Sequence, residues 1–227
     1  MSGDRLKARL HDTASFLLTH TLFFAIRLAF RPKITYASEK ARQEAFREPQ
    51  VIICDHVRGM DGAVVYSLFR HEKLTALSAK DILDQSPALK RFLSFLPVIE
   101  IDRQHPSMTW LRESRRLMRE GHHIMIFPEG RCNKARWLRP FKPGCVLLAA
   151  SAGARILPIW HNGSYHYFFG PRFRMIVGEP YTVTPPPEGL SAEALQRQAD
   201  ELYDIMHDLE RQLSGTVSLA PVEKEEA

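Results

Sequence analysis

Six short apolar runs recur along the chain: "PQVIIC", "KLTALSAK", "PVIEID", "HHIMIFP", "ARILPIW" and "RFRMIVG". No other feature limits the possible folds as much. Val51 to Cys54 is continuously apolar rather than alternating, which predicts a strand covered on both faces, as in a parallel sheet. Stretches of helical spacing stand between the runs. Asp61 to Arg70 places Val64, Val65, Leu68 and Phe69 on one side, and Asp81 to Phe95 is helical in pattern but interrupted near Pro87. Ser107 to Glu120 is closed by Gly121 and Lys142 to Ala152 by Gly153, glycine being the usual residue just past a helix end. A long helix is expected from about Asp4 to Phe30 and a short strand near Ile34 to Tyr36. A last helix is expected over Ser191 to Leu213, capped by Ser191. "TVTPPPEG" reads as a linker, and the polar tail after Gly215 as disordered. Strands alternating with helices predict an α/β fold: a mixed, largely parallel sheet covered by helices.

A chain of 227 residues is long enough for one well-cored domain and short for two. Its three cysteines, Cys54, Cys132 and Cys145, form no C-x-x-C pair and have no zinc-type histidine spacing. A disulfide framework is therefore not expected, and a reducing compartment is. The net charge of +5 is uneven: Glu188 to Ala227 carries 10 acids and 3 bases, a net of −7, which leaves +12 on the residues before it. Such a body attracts nucleic acid, anionic lipid or a phosphorylated substrate.

The N-terminus separates these partners. "TASFLLTHTLFFAIRLAF" is mostly apolar, but only 14 residues lie between Asp12 and Arg27. That is short of the ~20 needed to cross a bilayer. No small-residue cleavage site follows, so a signal peptide is not expected. Arg5, Lys7 and Arg9 precede the segment and Arg31 and Lys33 follow it. The pattern fits a helix lying in an anionic membrane interface; a helix of the core is the alternative.

Ligands and catalytic groups gather where the strands of α/β sheets end. His56 follows "VIIC" directly, and Asp61 comes five residues on, at the expected start of a helix. Within one regular helix that spacing would point the two side chains apart. With His56 in the loop and Asp61 in the first turn, they can meet, Gly59 giving the backbone freedom. A carboxylate on one imidazole nitrogen fixes the tautomer, and the other nitrogen can take a proton from a hydroxyl. A second strand ends in "FPEG", with Glu129 and Gly130, and a loop of five bases and no acid runs from Arg131 to Lys142. Such a loop can hold a phosphate. Arg103, after "VIEID", can reach the same mouth of the sheet; an ion pair or a solvated turn is the plainer reading of each of these bases.

The order His-x-x-x-x-Asp, Ile-Asp-Arg, Phe-Pro-Glu-Gly, Ile-Leu-Pro-Ile, over about Val51 to Ile159, resembles the glycerolipid acyltransferase family, which includes the lysophosphatidic acid acyltransferases. The resemblance implies transfer of a fatty acyl group from an acyl thioester, acyl-CoA or acyl carrier protein, to a lysophospholipid hydroxyl at a membrane surface. It implies His56 as general base, Asp61 as its partner, and Arg103, Glu129, Gly130 and Arg131 in acceptor binding and site architecture. The thioester is a co-substrate; no metal, bound cofactor or nucleic acid is implied. The expected layout is a membrane-associating helix over 1–33, a catalytic core over 34–187, a helix over 188–213 and a disordered tail over 214–227. A peripheral protein of the cytoplasmic membrane face is expected.

The sequence departs from the family pattern at Asp55 (usually Asn), Arg58 (Ser), Glu100 (an aromatic) and Arg131-Cys132 (Thr-Arg). An Arg directly after Pro-Glu-Gly resembles the lysophosphatidylethanolamine acyltransferases. Three other functions remain open. Cys54, two residues before His56, would share its side of a continued strand, as in a Cys–His thioesterase. A non-enzymatic membrane-binding module would explain the N-terminus alone, and a nucleic-acid binder the charge alone.

Overall fold

The six apolar runs become six strands of one sheet, joined by a seventh. The computed structural model describes residues 13, 17, 20–80, 97–102, 107–133, 137–184 and 191–215. In chain order the strands are β1 (Lys33–Tyr36), β2 (Val51–Cys54), β3 (Leu74–Ala79), β4 (Val98–Ile101), β5 (His123–Ile126), β6 (Ile156–His161) and β7 (Arg174–Val177). Residues 20–30 are helical (α1). The further helices are α2 (Glu39–Glu44), α3 (Asp61–Leu68), α4 (Thr109–Arg119), α5 (Gly144–Ala152) and α6 (Ala192–Ser214). The helix expected over Asp81 to Phe95 lies outside the described residues, as do Arg103 and most of the N-terminal segment before residue 20.

Sheet order is β1-β7-β6-β2-β5-β3-β4. Every pair is parallel except β6–β7, where Ile159 faces Val177 and His161 faces Met175. The expected mixed, largely parallel sheet covered by helices is the fold observed.

Strand β2 lies between β6 and β5 and is buried along its whole length, which is why its run is apolar without alternation. Val51 and Ile53 face one core with Leu148 and Ala149 of α5 and Leu202 and Met206 of α6. Ile52 and Cys54 face the other, with Phe23, Ile26 and Phe30 of α1 and Val64 and Val65 of α3. Helix α1 is thus a core helix along one stripe. Leu17, Phe24 and Leu28, spaced seven and four apart on another stripe, are exposed. Helix α2 was not expected from the sequence. Ser38 Oγ caps it by accepting the Ala41 N–H at 3.0 Å, with Glu39 in the first turn.

Candidate active site

The chain leaves β2 at Cys54, so Asp55 and His56 lie beyond the strand and do not continue its alternation. Cys54 is fully buried in the α1 and α3 core, its thiol set against Asp55 at 3.7 Å, and burial holds its pKa far up. Buried behind Asp55 and held protonated, its thiol is not a nucleophile for His56 to activate.

The loop after His56 turns on a reciprocal contact. Asp61 Oδ2 accepts the Arg58 N–H at 2.6 Å, and the Asp61 N–H reaches Arg58 O at 3.1 Å. The same Oδ2 stands 3.0 Å from His56 Nδ1, so a loop residue and a first-turn residue meet. Gly59 is not what permits this: it is not among the residues of positive φ, and the side-chain bond of Asp61 shapes the turn instead. Asp61 is wholly buried. Burial alone would raise its pKa, but His56, His161, the Tyr165 hydroxyl and the Arg58 N–H outweigh that and hold it below the usual value. Its position at the start of α3 adds the favourable end of the helix dipole.

The "FPEG" strand end grips the backbone of His56. Glu129 Oε1 accepts the His56 N–H at 3.0 Å, and His56 O accepts the Asn133 N–H at 2.6 Å. Glu129 Oε2 accepts the Arg139 N–H at 3.2 Å. The buried carboxylate therefore joins the two loops, its pKa raised by burial and only partly restored by these donors. Phe127 stacks on the imidazole at 4.1 Å between ring centres. Gly130 is at φ 73 with its N–H bonded to Phe127 O at 3.0 Å, so that N–H is already used. Any Cβ there would stand 3.1 Å from the Lys142 side chain as well as strain the backbone. Arg131 is exposed at the start of the basic loop, and residues 134–136 of that loop lie outside the described residues.

Three neighbours of the pair were not anticipated. Cys132 Sγ lies 3.1 Å from His56 Nε2 and 3.7 Å from Nδ1. Its near-equal approach to both nitrogens puts the sulfur over the ring, off the axis of the Nε2 lone pair. The Tyr165 hydroxyl donates to Asp61 Oδ1 in a short contact. His161, the last residue of β6, is buried with Nε2 3.6 Å from the same oxygen. The sequence signal for His161 was its place directly after "ILPIW"; the strand simply runs one residue further.

Among the described residues, Cys54, Asp55 and His161 form the one group of three metal-ligand types close enough to share an ion. They suit hydrogen bonding better. Asp55 Oδ1 accepts the His161 N–H at 2.9 Å, His161 Nδ1 accepts the Gly163 N–H at 3.1 Å, and the Cys54 thiol stays protonated.

An apolar surface adjoins the pair. Past Tyr165 the chain exposes Tyr167, Phe168 and Phe169, the last 99% exposed, and the Phe168 N–H bonds Ala29 O of α1 at 3.0 Å. The loop is thereby fixed beside the helix that exposes Phe24 and Leu28.

The acyltransferase family model matches residues 33–162, more than half of the chain and the span that holds His56, Asp61, Glu129 and His161. The chain belongs to the acyltransferase family. The 1-acyl-sn-glycerol-3-phosphate acyltransferase of Bacillus subtilis (strain 168) is 28% identical over 141 residues, covering 58% of this chain and 70% of that protein. Human 1-acyl-sn-glycerol-3-phosphate acyltransferase beta is 25% identical over 220 residues, 94% of this chain and 76% of that one. In fold, the acyltransferase is similar to the crystal structure of the 1-acyl-sn-glycerophosphate acyltransferase PlsC from Thermotoga maritima. The TM-score is 0.58 at 17% identity, covering 96% of this chain and 86% of that one.

Proposed function

We propose that this acyltransferase moves a fatty acyl group from an acyl thioester, acyl-CoA or acyl carrier protein, to the free hydroxyl of a lysophospholipid, with His56 as general base. The observation that carries the reading is the 3.0 Å contact of His56 Nδ1 with the buried carboxylate of Asp61. With the Nδ1 proton held there, Nε2 is left as the acceptor. The lipid hydroxyl attacks the thioester carbonyl as Nε2 takes its proton. The tetrahedral intermediate expels the carrier thiolate, which recovers that proton from His56. Asp61 keeps the imidazolium in place between the two transfers.

The test is purified protein with labelled acyl-CoA and a panel of lysolipids, read by lipid mass spectrometry. Diacyl product with a phosphate-bearing lysolipid supports the reading; no product with any lysolipid rejects it. Run without acceptor, the same assay weighs a covalent route. Cys132 is close enough to His56 to carry an acyl group, and a labelled Cys132 peptide that builds up without acceptor and is discharged at the turnover rate once lysolipid is added would replace direct transfer. Its position over the ring, rather than in line with Nε2, favours direct transfer.

Arg131, and Arg103 with it, are proposed to hold the acceptor phosphate. Arg131→Ala should raise the KM for lysolipid about 10- to 150-fold, the equivalent of a lost charge-assisted bond of roughly 1.5–3 kcal/mol, with the KM for acyl donor little changed. Equal effects on both substrates would remove Arg131 from acceptor binding. Cys132 stands where relatives carry a second Arg, so a phosphodiester lysolipid such as lysophosphatidylethanolamine is expected to serve beside lysophosphatidate. Exclusive use of lysophosphatidate would reject that inference.

The exposed apolar stripe of α1 and the loop Tyr167 to Phe169 are proposed to seat the protein on a membrane at its cytoplasmic face. Among the described residues no helix is long and apolar enough to cross one. Removing α1 outright is a poor test. Phe23, Ile26 and Phe30 are buried, and at about 1.5–3 kcal/mol each their loss rivals the whole stability of a domain. Phe24→Ser, Leu28→Ser and Phe169→Ser together leave that core intact. They should abolish flotation with anionic vesicles without lowering the melting temperature; undiminished flotation would return the patch to ordinary surface.

A further inference from the structure

Asp61 has two oxygens, and His56 uses only one. On the other converge the Tyr165 hydroxyl and, at 3.6 Å, His161 Nε2. Behind His161 lies Asp55, its Oδ2 3.3 Å from His161 Nδ1. All four side chains are buried, with Phe173 packed against His161 at 5.1 Å between ring centres. The further titratable groups facing this line are His56 and Cys54, with Glu129 beyond, and the Arg58 guanidinium lies 5.7 Å over the Tyr165 ring.

We propose that His161, held by a neutral Asp55, and Tyr165 are positioning residues of the base: from behind, they fix the Asp61 carboxylate and set the pH range in which His56 works. The inference rests on the assignment of His56 as the base.

Hydrogen bonding determines where the protons sit. The Gly163 N–H points at His161 Nδ1 from 3.1 Å, in a turn that Gly163 makes at φ 58. A proton on Nδ1 would oppose that donor, so His161 carries its proton on Nε2, aimed at Asp61 Oδ1. Asp55 Oδ2 and His161 Nδ1 would then be two acceptors face to face unless Oδ2 is protonated. A neutral carboxyl resolves this: Oδ1 accepts the His161 N–H at 2.9 Å while Oδ2–H shares Nδ1. Burial favours the same state. It raises Asp55 well above the carboxylate range and lowers His161 to about 4. Among the described residues His161 Nε2 has no closer hydrogen-bond partner, which leaves its dipole directed at Asp61.

The direction of the effect follows. Donors on Oδ1 stabilise the carboxylate charge, so Asp61 draws less strongly on the His56 proton. Without them His56 holds its proton more tightly and becomes a working base only at higher pH. The experiment is the pH profile of kcat/KM for wild type, Tyr165→Phe, His161→Leu, His161→Gln and Asp55→Asn, each checked by thermal melting. Wild type should show one rising limb. In Tyr165→Phe, and in His161→Leu if it folds, that limb should move up by about half a pH unit or more. His161→Gln retains an N–H for Asp61 and should move it less than His161→Leu. Asp55→Asn can accept from the His161 N–H and donate to Nδ1, so it should keep its limb and stay within about threefold of wild type. A folded Tyr165→Phe whose rate falls equally at every pH overturns the positioning role, since a purely structural residue does that. Asp55→Asn with its limb displaced, or with activity lost, overturns the neutral carboxyl. A wild-type profile with no rising limb would instead reject His56 as the base.

Discussion

His56→Ala is expected to lose at least ~10²-fold in kcat/KM with the fold intact, as befits loss of a general base. The ring is not a core group. It rests on Phe127 and beneath Cys132, and its side chain is 12% exposed. After truncation, Asp61 keeps the Arg58 N–H and the Tyr165 hydroxyl, and the backbone bonds of residue 56 to Glu129 and Asn133 survive. The pH profile of the unmutated enzyme supplies a second check. Burial by itself lowers the His56 pKa, but the Asp61 bond and the nearby Cys132 outweigh it and raise it from 6.5 to about 9. Only the neutral imidazole accepts a proton, so kcat/KM should climb with pH and level off only above about 9. Stability runs the other way. A pKa raised by folding contributes fully below 6.5, and that contribution is lost as pH rises through about 9. Near-wild-type transfer by a folded His56→Ala protein would remove it as base.

Much of this arrangement is readable before any coordinates. The apolar runs are legible as strands, most plainly "VIIC", where both faces of the sheet are covered and no polar residue interrupts the run. The meeting of His56 with Asp61 follows from a strand end and a helix start five residues apart. What escaped is what depends on distant parts of the chain. Tyr165 lies in a loop, and nothing local marks its hydroxyl as a partner of a residue 104 positions away. His161 is hidden because "ILPIW" reads as a complete strand, whereas β6 runs one residue further. Helix α2, with six residues, is too short to show a periodic stripe. Helix α1 admitted two readings because one apolar stripe enters the core while another stays exposed, and composition alone cannot divide them. Glu129 is expected among the groups of acceptor binding and site architecture, and both its oxygens serve backbone donors.

That placement gives the second large effect. Glu129→Ala should destabilise the protein by about 3 kcal/mol or more, because the N–H groups of His56 and Arg139 lose their acceptor in the interior at roughly 1–3 kcal/mol each. Catalysis should suffer with stability. The His56 backbone is held between Glu129 and the Asn133 N–H, and losing one side frees the imidazole from its place against Asp61. A drop of ~10²-fold in kcat with a smaller change in lysolipid KM is therefore expected, since misplaced catalytic groups cost rate steeply. Glu129→Gln keeps one carbonyl oxygen and should fall between the two. Urea unfolding and steady-state kinetics on the same preparations check it. If Glu129 instead touched the acceptor, alanine would raise the lysolipid KM and leave the urea midpoint where it was. The bracing role also fixes why "FPEG" must stand opposite the histidine loop: its carboxylate reaches His56 N–H only because β5 lies directly beside β2, with Ile126 paired to Ile53 at their ends.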